Sequence, residues 1–515
     1  MDNQDRLSPL PDGVLFIIVS FLPFKEAVRT SVLSRRWRRI PVGTRNLEFD
    51  ERDFVPEAAD SDQGARQNKR RAFLDFVAGW IGNYRDSEGP VKFGLAFSHP
   101  EDHRLEMEHF VGFATDRRVK VIDLDFSDPE WDEDFIQRHQ AFLELPNIDD
   151  QHKRTLESLR LFSCNPPRIS QASPNFTALK SVHLGWIGLP SAFIKNLMEK
   201  CPALETLSTK NCFHAGYFEV IGPRLKTLVL EKCSGAGPNM RMPNILINAP
   251  KLRVFKYSGV LTTFEFERLG SMEEADLDFG LHGEYGEYGD ILCALLAEIA
   301  CVRTLTICSY MLQCNVDSKS LYIGGYLVEY MRPLNFFCLF FFLGPGVVVV
   351  KVIPTGEEPL KLQPVLGCVN CLTLKTSLDR REFYGITFFL NSCPNLEVLT
   401  IDLTTSIRIF RECDPPFDIE HHAFLYAGRY QPNYTCLRSK LKSVYVEGFK
   451  GEPNELLVLR YLLKHGRVLD EVHIHLSKER GPGGGSMEET YFNKIRSLKN
   501  CKVASKGLRI FLRRK

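Results

Sequence analysis

The side chains of this chain that could do chemistry stand at spacings that stop short of it. Cys368 and Cys371 have the gap of a metal-binding pair, but no second C-x-x-C or H-x-x-x-H follows at finger spacing. Val369 between them belongs to a repeating apolar frame, so the two read as buried cysteines of that frame. His421-His422, and His473 with His475, invite a metal reading; the second pair flanks strand-like Ile474 and is expected to face solvent. Gly481–Ser486 is glycine-rich yet lacks the Lys-Ser/Thr that a phosphate-binding loop requires. No nucleophile–base pairing or glycine-elbow motif is visible. The acidic run Asp123–Asp134 reads as a solvated loop after a strand. Arg29, Arg35, Arg36, Arg38 and Arg39 make the densest basic cluster and read as a solvated face around Trp37. Nuclear import is a second reading for that cluster and for the Arg509–Lys515 tail. The expectation is a protein with no catalytic residues, no metal and no cofactor.

Composition narrows the class. The 515 residues suffice for two or more domains or one long repeat array. Hydrophobic residues at 44% and charged residues at 25% are those of a soluble globular chain. A formal net charge of +1 steers the molecule toward neither nucleic acid nor anionic lipid, and no nucleic-acid partner is expected. No basic stretch followed by an apolar run and cleavage site opens the chain, so no secretory signal is expected. The 15 cysteines, odd in number and scattered, read as reduced thiols of the cytoplasm or nucleus.

Most of the chain is organised by one recurring frame, L-x-x-L-x-L. Its apolar positions are Val119/Ile122/Leu124, Leu156/Leu159/Leu161, Leu179/Val182/Leu184, Leu204/Leu207, Leu225/Leu228/Leu230 and Leu252/Phe255/Tyr257. It continues as Met272/Ala275/Leu277, Val302/Leu305/Ile307, Val369/Leu372/Leu374, Leu396/Leu399/Ile401 and Leu441/Val444/Val446. From Leu156 to Val302 the first positions step by roughly 20 to 30 residues, close to the period of leucine-rich repeats. Each unit supplies one short parallel strand with alternate side chains facing inward, and no unit buries that face without its neighbours. Cys164, Asn211, Cys212 and Cys233 close the frame and are expected to be buried, with Asn211 satisfying backbone groups at the turn. Outward strand positions between the inward residues are the candidate binding positions: Arg160, Phe162, His183, Lys210, Lys256, Thr400 and Tyr445.

Three segments depart from the frame. Glu51–Arg71 is polar and reads as a linker, followed by helical apolar spacing through Phe73, Phe76, Val77 and Trp80. Cys314–Lys351 interrupts the rhythm, and removing it restores the period. Its apolar part is broken by Gly344-Pro345-Gly346, short of the ~20 residues of a membrane helix. It reads as an insertion foreign to the fold, a translated non-coding segment being one origin; a membrane tether through Phe336–Val350 is a competing reading. Ser439–Leu476 reads as strand, turn, helix and strand, the helix striped by Glu455, Leu456, Leu459, Leu462 and Leu463, with a short final helix through Phe492, Ile495 and Leu498.

The first forty residues read as three short helices. Pro11 and Asp12 open the first, which carries Leu15, Ile18, Val19 and Leu22 and stops at Pro23. A second spans about Lys25 to Val32; Ser34 caps a third, which carries Trp37 and ends at Pro41. A unit below about 40 residues rarely folds without outside help, so a partner is expected.

The order Leu10-Pro11, Leu15, Ile18, Phe21-Leu22, Ala27-Val28, Thr30-Ser31, Leu33-Ser34, Arg36-Trp37-Arg38 resembles the F-box of plant F-box proteins with leucine-rich repeats, with Gly13 where an acidic residue is usual. The CP-x-LE starts at Cys201 and Cys393 fit the same subfamily, and the C-terminal segment resembles the FBD domain. The resemblance implies an α/β chain: a three-helix F-box at 1–45, a linker and cap at 46–115, a leucine-rich-repeat solenoid at 116–438 with the atypical insertion at 314–351, and an FBD-like α/β cap and tail at 439–515. It implies a non-catalytic receptor subunit of a ubiquitin ligase. By the same resemblance the F-box is expected to dock on a Skp-type adaptor, and through it a cullin, by Leu10, Pro11, Leu15, Ile18, Leu22, Val28, Val32 and Trp37. The repeats hold an unidentified target protein. A repeat scaffold that delivers no target to ubiquitination is the alternative.

Overall fold

A computed structural model gives the architecture. It describes residues 7–513 apart from 38–43, 56–62, 85–88, 132–142, 170–174, 215–217, 235–243, 280–287, 313–361, 405–433, 479–487 and shorter gaps. The apolar insertion and His421-His422 lie outside the described residues. The chain forms two compact units, Met1–Leu252 and Arg253–Lys515.

The sheet of the first unit is parallel throughout: β1 (Asn46–Asp50), β2 (Lys92–Ala96), β3 (Val121–Asp125), β4 (Ser158–Phe162), β5 (Ser181–Gly185), β6 (Thr206–Lys210) and β7 (Thr227–Cys233). Every strand pairs in register with the next, one repeat per strand. The second unit repeats the scheme with β8 (Val254–Gly259), β9 (Glu274–Phe279), β10 (Thr304–Ile307), β11 (Cys371–Lys375), β12 (Val398–Asp402), β13 (Ser443–Phe449), β14 (Glu471–Leu476) and β15 (Arg509–Arg513). These strands too are parallel to their neighbours. The apolar frame residues fill the core, and the alternation of buried and half-buried positions along each strand follows from the two-residue period of a strand.

Two backbone devices set the register. The residue before each strand offers its carbonyl to two N–H groups of the next strand: Lys120 to Glu157 and Ser158, Glu157 to Lys180 and Ser181, Lys180 to Glu205 and Thr206. At or just past the strand's end, Ser163, Trp186, Asn211 and Lys232 take left-handed φ values of 52°, 54°, 50° and 50°. The chain there leaves the strand and turns Cys164, Ile187, Cys212 and Cys233 into the core. Asn211 is buried as expected, but its Oδ1 finds no partner among the described residues. The left-handed backbone at Asn211 is a conformation that Asn tolerates better than most residues other than glycine.

Several expectations are corrected. The sheet begins at β1 and β2, inside the stretch read as linker and cap, and helix Gln63–Asn83 covers much of the supposed linker. Glu51 is buried, accepting from Arg70 Nε at 2.6 Å and from the Ser98 N–H at 2.7 Å, so it closes the first repeat. Asp123 and Asp125 lie on β3 and not in a loop. Arg509–Arg513, read as a basic tail, is a strand. The strand, helix Pro453–His465 and strand of the C-terminal segment form as read, and helix Glu488–Arg496 follows. Among the described residues no helix is long and apolar enough to cross a membrane.

Candidate functional site

The amino-terminal helices, Asp12–Ser20 and Phe24–Arg29 with a 3-10 turn at Thr30–Val32, enclose a very small core of Leu15, Val19, Ala27 and Trp37, with Leu10, Phe16 and Leu22 packed against it. Pro11 precedes the first helix, where its missing N–H leaves no bond unmade. The Ser34 hydroxyl accepts from the Trp37 N–H at 3.4 Å, as a cap would; residues 38–43 lie outside the described residues, and with them the third helix. Arg36 ties the ends together, donating to Asp12 at 2.6 Å and to the Leu10 carbonyl. That withdraws it from the solvated basic face.

The expected docking residues divide. Leu15 (0% exposed) and Trp37 (6%) belong to the trio's own core, where no partner reaches them without unfolding it. Leu10, Leu22 and Val28 are half-buried and Pro11 is exposed. Ile18 and above all Val32 (83%) face solvent. Three residues absent from the expected set join them: Ile17, Phe21 (83%) and Leu33. Helical spacing alone does not say which of two apolar faces is inward; the positions of Ala27 and Trp37 decide it.

The trio is seated on the first repeat. Phe24 meets Phe49 of β1 edge-on at 5.0 Å and Trp80 at 5.1 Å, and Lys25 pairs with Asp53. Edge-to-face aromatic contacts of this kind add about 0.5–1.5 kcal/mol each beyond burial.

The seven candidate target residues all stand on outward strand positions, yet the charged ones are already engaged. Arg160 on β4 donates to Asp123 at 2.7 Å and Asp125 at 2.8 Å, and its guanidinium lies 4.0 Å from the Phe162 ring centroid. Burial works against the Arg160 charge, and the two aspartates outweigh it, carrying the group above its ordinary value. Phe162 lies across Gly185, where a Cβ would come within 2.5 Å of the ring. His183 bonds Ser181 at 2.8 Å, and burial lowers its affinity for a proton. In the first unit Lys210 pairs with Glu231 at 3.0 Å; in the second, Lys256 pairs with Glu274 at 2.7 Å. Lys375, which sequence reasoning missed, reaches Asp276 at 3.0 Å and Asp278 at 3.4 Å.

Thr400 and Tyr445 stand side by side on β12 and β13. Tyr445 stacks on His473 at 4.7 Å, and His473 stacks on Phe511 at 4.7 Å, a three-ring column over adjacent strands. His473 is thus buried between rings and not solvent-facing as expected, and it bonds Glu471 at 3.1 Å. Cys368 is exposed and Cys371 half-buried, against the expectation that both are buried. Among the described residues no group of three metal-ligating side chains assembles.

Comparison with known proteins bears on both ends of the chain. A family model of the F-box domain matches residues 7–42, and one of the FBD domain matches residues 434–474. An F-box protein of Arabidopsis thaliana is 32% identical over 479 residues, covering 92% of this chain and 91% of the relative. An F-box/LRR-repeat protein of the same plant is 30% identical over 492 residues, covering 92% of each. A relative named for F-box, FBD and LRR repeats together, also from Arabidopsis thaliana, is 24% identical over 513 residues, covering 98% and 97%.

Proposed function

This chain belongs to the F-box/LRR-repeat proteins known from Arabidopsis thaliana, and from that premise we propose that it is the substrate-recognition subunit of a Skp–cullin–F-box ubiquitin ligase. The supporting observation is that the apolar residues Ile17, Ile18, Phe21, Val32 and Leu33 are exposed on a trio with a minimal core. Leu10, Leu22 and Val28 are half-buried and Pro11 is exposed, while Leu15 and Trp37 hold the trio in shape. Burying such side chains is worth about 1.5–3 kcal/mol each before association costs, enough for firm docking on a Skp-type adaptor. The adaptor brings the cullin arm, and the repeats hold the target. Proximity at high effective concentration is what this chain contributes; bond-making belongs to other subunits. It works in the cytoplasm or nucleus. Target selection falls to the outward strand residues, with Phe162, His183, Thr400 and Tyr445 left to make contact where the charged candidates are paired internally.

The test compares Phe21→Asp plus Ile17→Asp with the intact chain in co-purification with a Skp adaptor. Adaptor recovery is expected to fall at least about tenfold while the circular dichroism spectrum is unchanged. Recovery equal to that of the intact chain removes the docking claim. Docking without ubiquitination of captured partners in a reconstituted ligase points instead to the repeat scaffold.

A further inference from the structure

Cys301 and Cys368 occupy the same position in two stacked repeats of the second unit. Each is the third residue of a turn closed by the same hydrogen bond. The Val302 N–H donates to the Ile299 carbonyl at 3.1 Å, and the Val369 N–H donates to the Leu366 carbonyl at 3.2 Å. The strands that follow pair parallel with Thr304 opposite Cys371, so counting back equally along both chains sets Cys301 opposite Cys368. The Asn370 and Cys371 N–H groups both reach the Arg303 carbonyl at 3.0 Å, which fixes that register at the strand entry. Neighbouring strands run about 4.8 Å apart. A disulfide spans Cα separations of about 4.4–6.8 Å.

Side chains at this turn position do reach the adjoining turn. Asn395, its equivalent in the next repeat, donates from Nδ2 to the Gly367 carbonyl at 2.8 Å. Both thiols are exposed, whereas Cys164, Cys201, Cys212, Cys233, Cys308, Cys393 and Cys436 are buried. Partial burial above all, and Cys368 as well, push the Cys301 thiol up.

We propose that Cys301 and Cys368 are a modification site at which a small disulfide such as oxidised glutathione installs a cross-repeat disulfide bond. One thiolate attacks a sulfur of the small disulfide, forming a mixed disulfide and releasing one small thiolate. The second protein thiolate attacks the protein sulfur of that adduct; the protein S–S bond forms and the other small thiolate leaves. Two protein thiols lose two protons and two electrons, and one small disulfide becomes two small thiols. The buried cysteines stay out of this exchange, because burial pushes Cys164, Cys201 and Cys308 up to about 12 and leaves little thiolate at neutral pH. The site is independent of adaptor docking.

The experiment incubates the reduced full chain with oxidised glutathione, alkylates the remaining thiols and maps peptides by mass spectrometry without reduction. A Cys301–Cys368 linked peptide is expected as the main product. It disappears in Cys301→Ser and in Cys368→Ser. The glutathione adduct on Cys368 should be roughly tenfold more abundant in Cys301→Ser than in the intact chain, because the internal partner that resolves it is gone. Stable glutathione adducts on both residues of the intact chain overturn the proposal. A dominant Cys368–Cys371 link, or a link to any other cysteine, overturns it equally.

Discussion

Arg160 has its guanidinium already held within the chain. Asp123 and Asp125 take its donors from β3, and the Phe162 ring lies beneath it. Replacing it with methionine keeps the stem and leaves two like charges two residues apart on one strand face. Arg160→Met is expected to lower stability by roughly 1 kcal/mol, a modest figure because the cluster is partly open to water. Adding Asp123→Asn should restore most of that loss. Urea unfolding of the single and double variants checks it, and equal losses in both would mean that the charges are uncoupled. The sequence marked Arg160 as outward and was silent about its engagement, since the carboxylates come from the preceding repeat. Glu382 was equally hidden. It accepts from Thr376, Ser377 and Asp379 close by in sequence, and from Ser309 far back in the chain, which only the stacking of repeats brings to it.

At the scale of one repeat, the left-handed residue at the strand's end is the costly position. Lys232 has φ 50° with an exposed side chain, and a left-handed residue other than glycine costs roughly 1–2 kcal/mol. Glycine removes that strain and adds flexibility to the unfolded chain, so Lys232→Gly is expected to stabilise by about 0.5 kcal/mol. Lys232→Val should destabilise by more than about 1 kcal/mol, because β-branching crowds the left-handed region further. Thermal or urea midpoints decide, and a loss on going to glycine would show that the position is unstrained. The frame itself was legible because leucine spacing is a direct image of which side chains face inward; every frame strand from Val119 to Val446 lies where its apolar pattern put it. The early strands were not. Phe93 and Leu95 flank Gly94, and Leu47 and Phe49 flank Glu48, runs too short and too mixed to stand out from the helices around them. The amino-terminal trio was legible as apolar, but its inward and outward faces were not, since Ile17, Ile18 and Phe21 are as apolar as the residues they leave behind.

Along each unit, many of the residues that share a carbonyl with the next strand also alternate in charge. In the first unit Arg45 and Val91 are followed by Lys120, Glu157, Lys180 and Glu205; in the second Arg253, Glu273 and Arg303 are followed by Asn370, Glu397 and Lys442. Lys120 lies 3.1 Å and Lys180 3.6 Å from Glu157, and Lys226 lies 2.8 Å from Glu205. Arg253 lies 2.6 Å from Glu273, and Lys442 lies 3.0 Å from Glu397. Hydrogen bonds from Lys120, Lys226 and Arg253 hold Glu157, Glu205 and Glu273 below the usual glutamate value. Native glutamates of this row therefore bind fewer protons than unfolded ones. Their contribution is complete above about pH 4.5 and is lost as pH falls through the depressed values. Glu382 and Glu455 act in the other direction: burial raises both, so stability falls as pH rises from about 4.5 through their folded values. Stability is thus expected to fall modestly as pH drops below about 4.5 through this exposed row, and to fall again as pH rises through the raised values of the buried pair. The two limbs should answer differently to salt, because the charge row is exposed and screened while the buried pair is not. Raising salt to about 1 M, where the screening length is about 3 Å, should flatten the acid limb and leave the neutral limb in place. Glu157→Gln should reproduce part of that flattening, with a loss of only about 0.5 kcal/mol at neutral pH given its exposure. Denaturation midpoints across pH 3 to 8 at low and high salt, roughly the range that spans both sets of groups, are the measurement. An acid limb indifferent to salt would assign the drop to protonation of buried groups and deprive the alternating row of any part in holding the repeats in register.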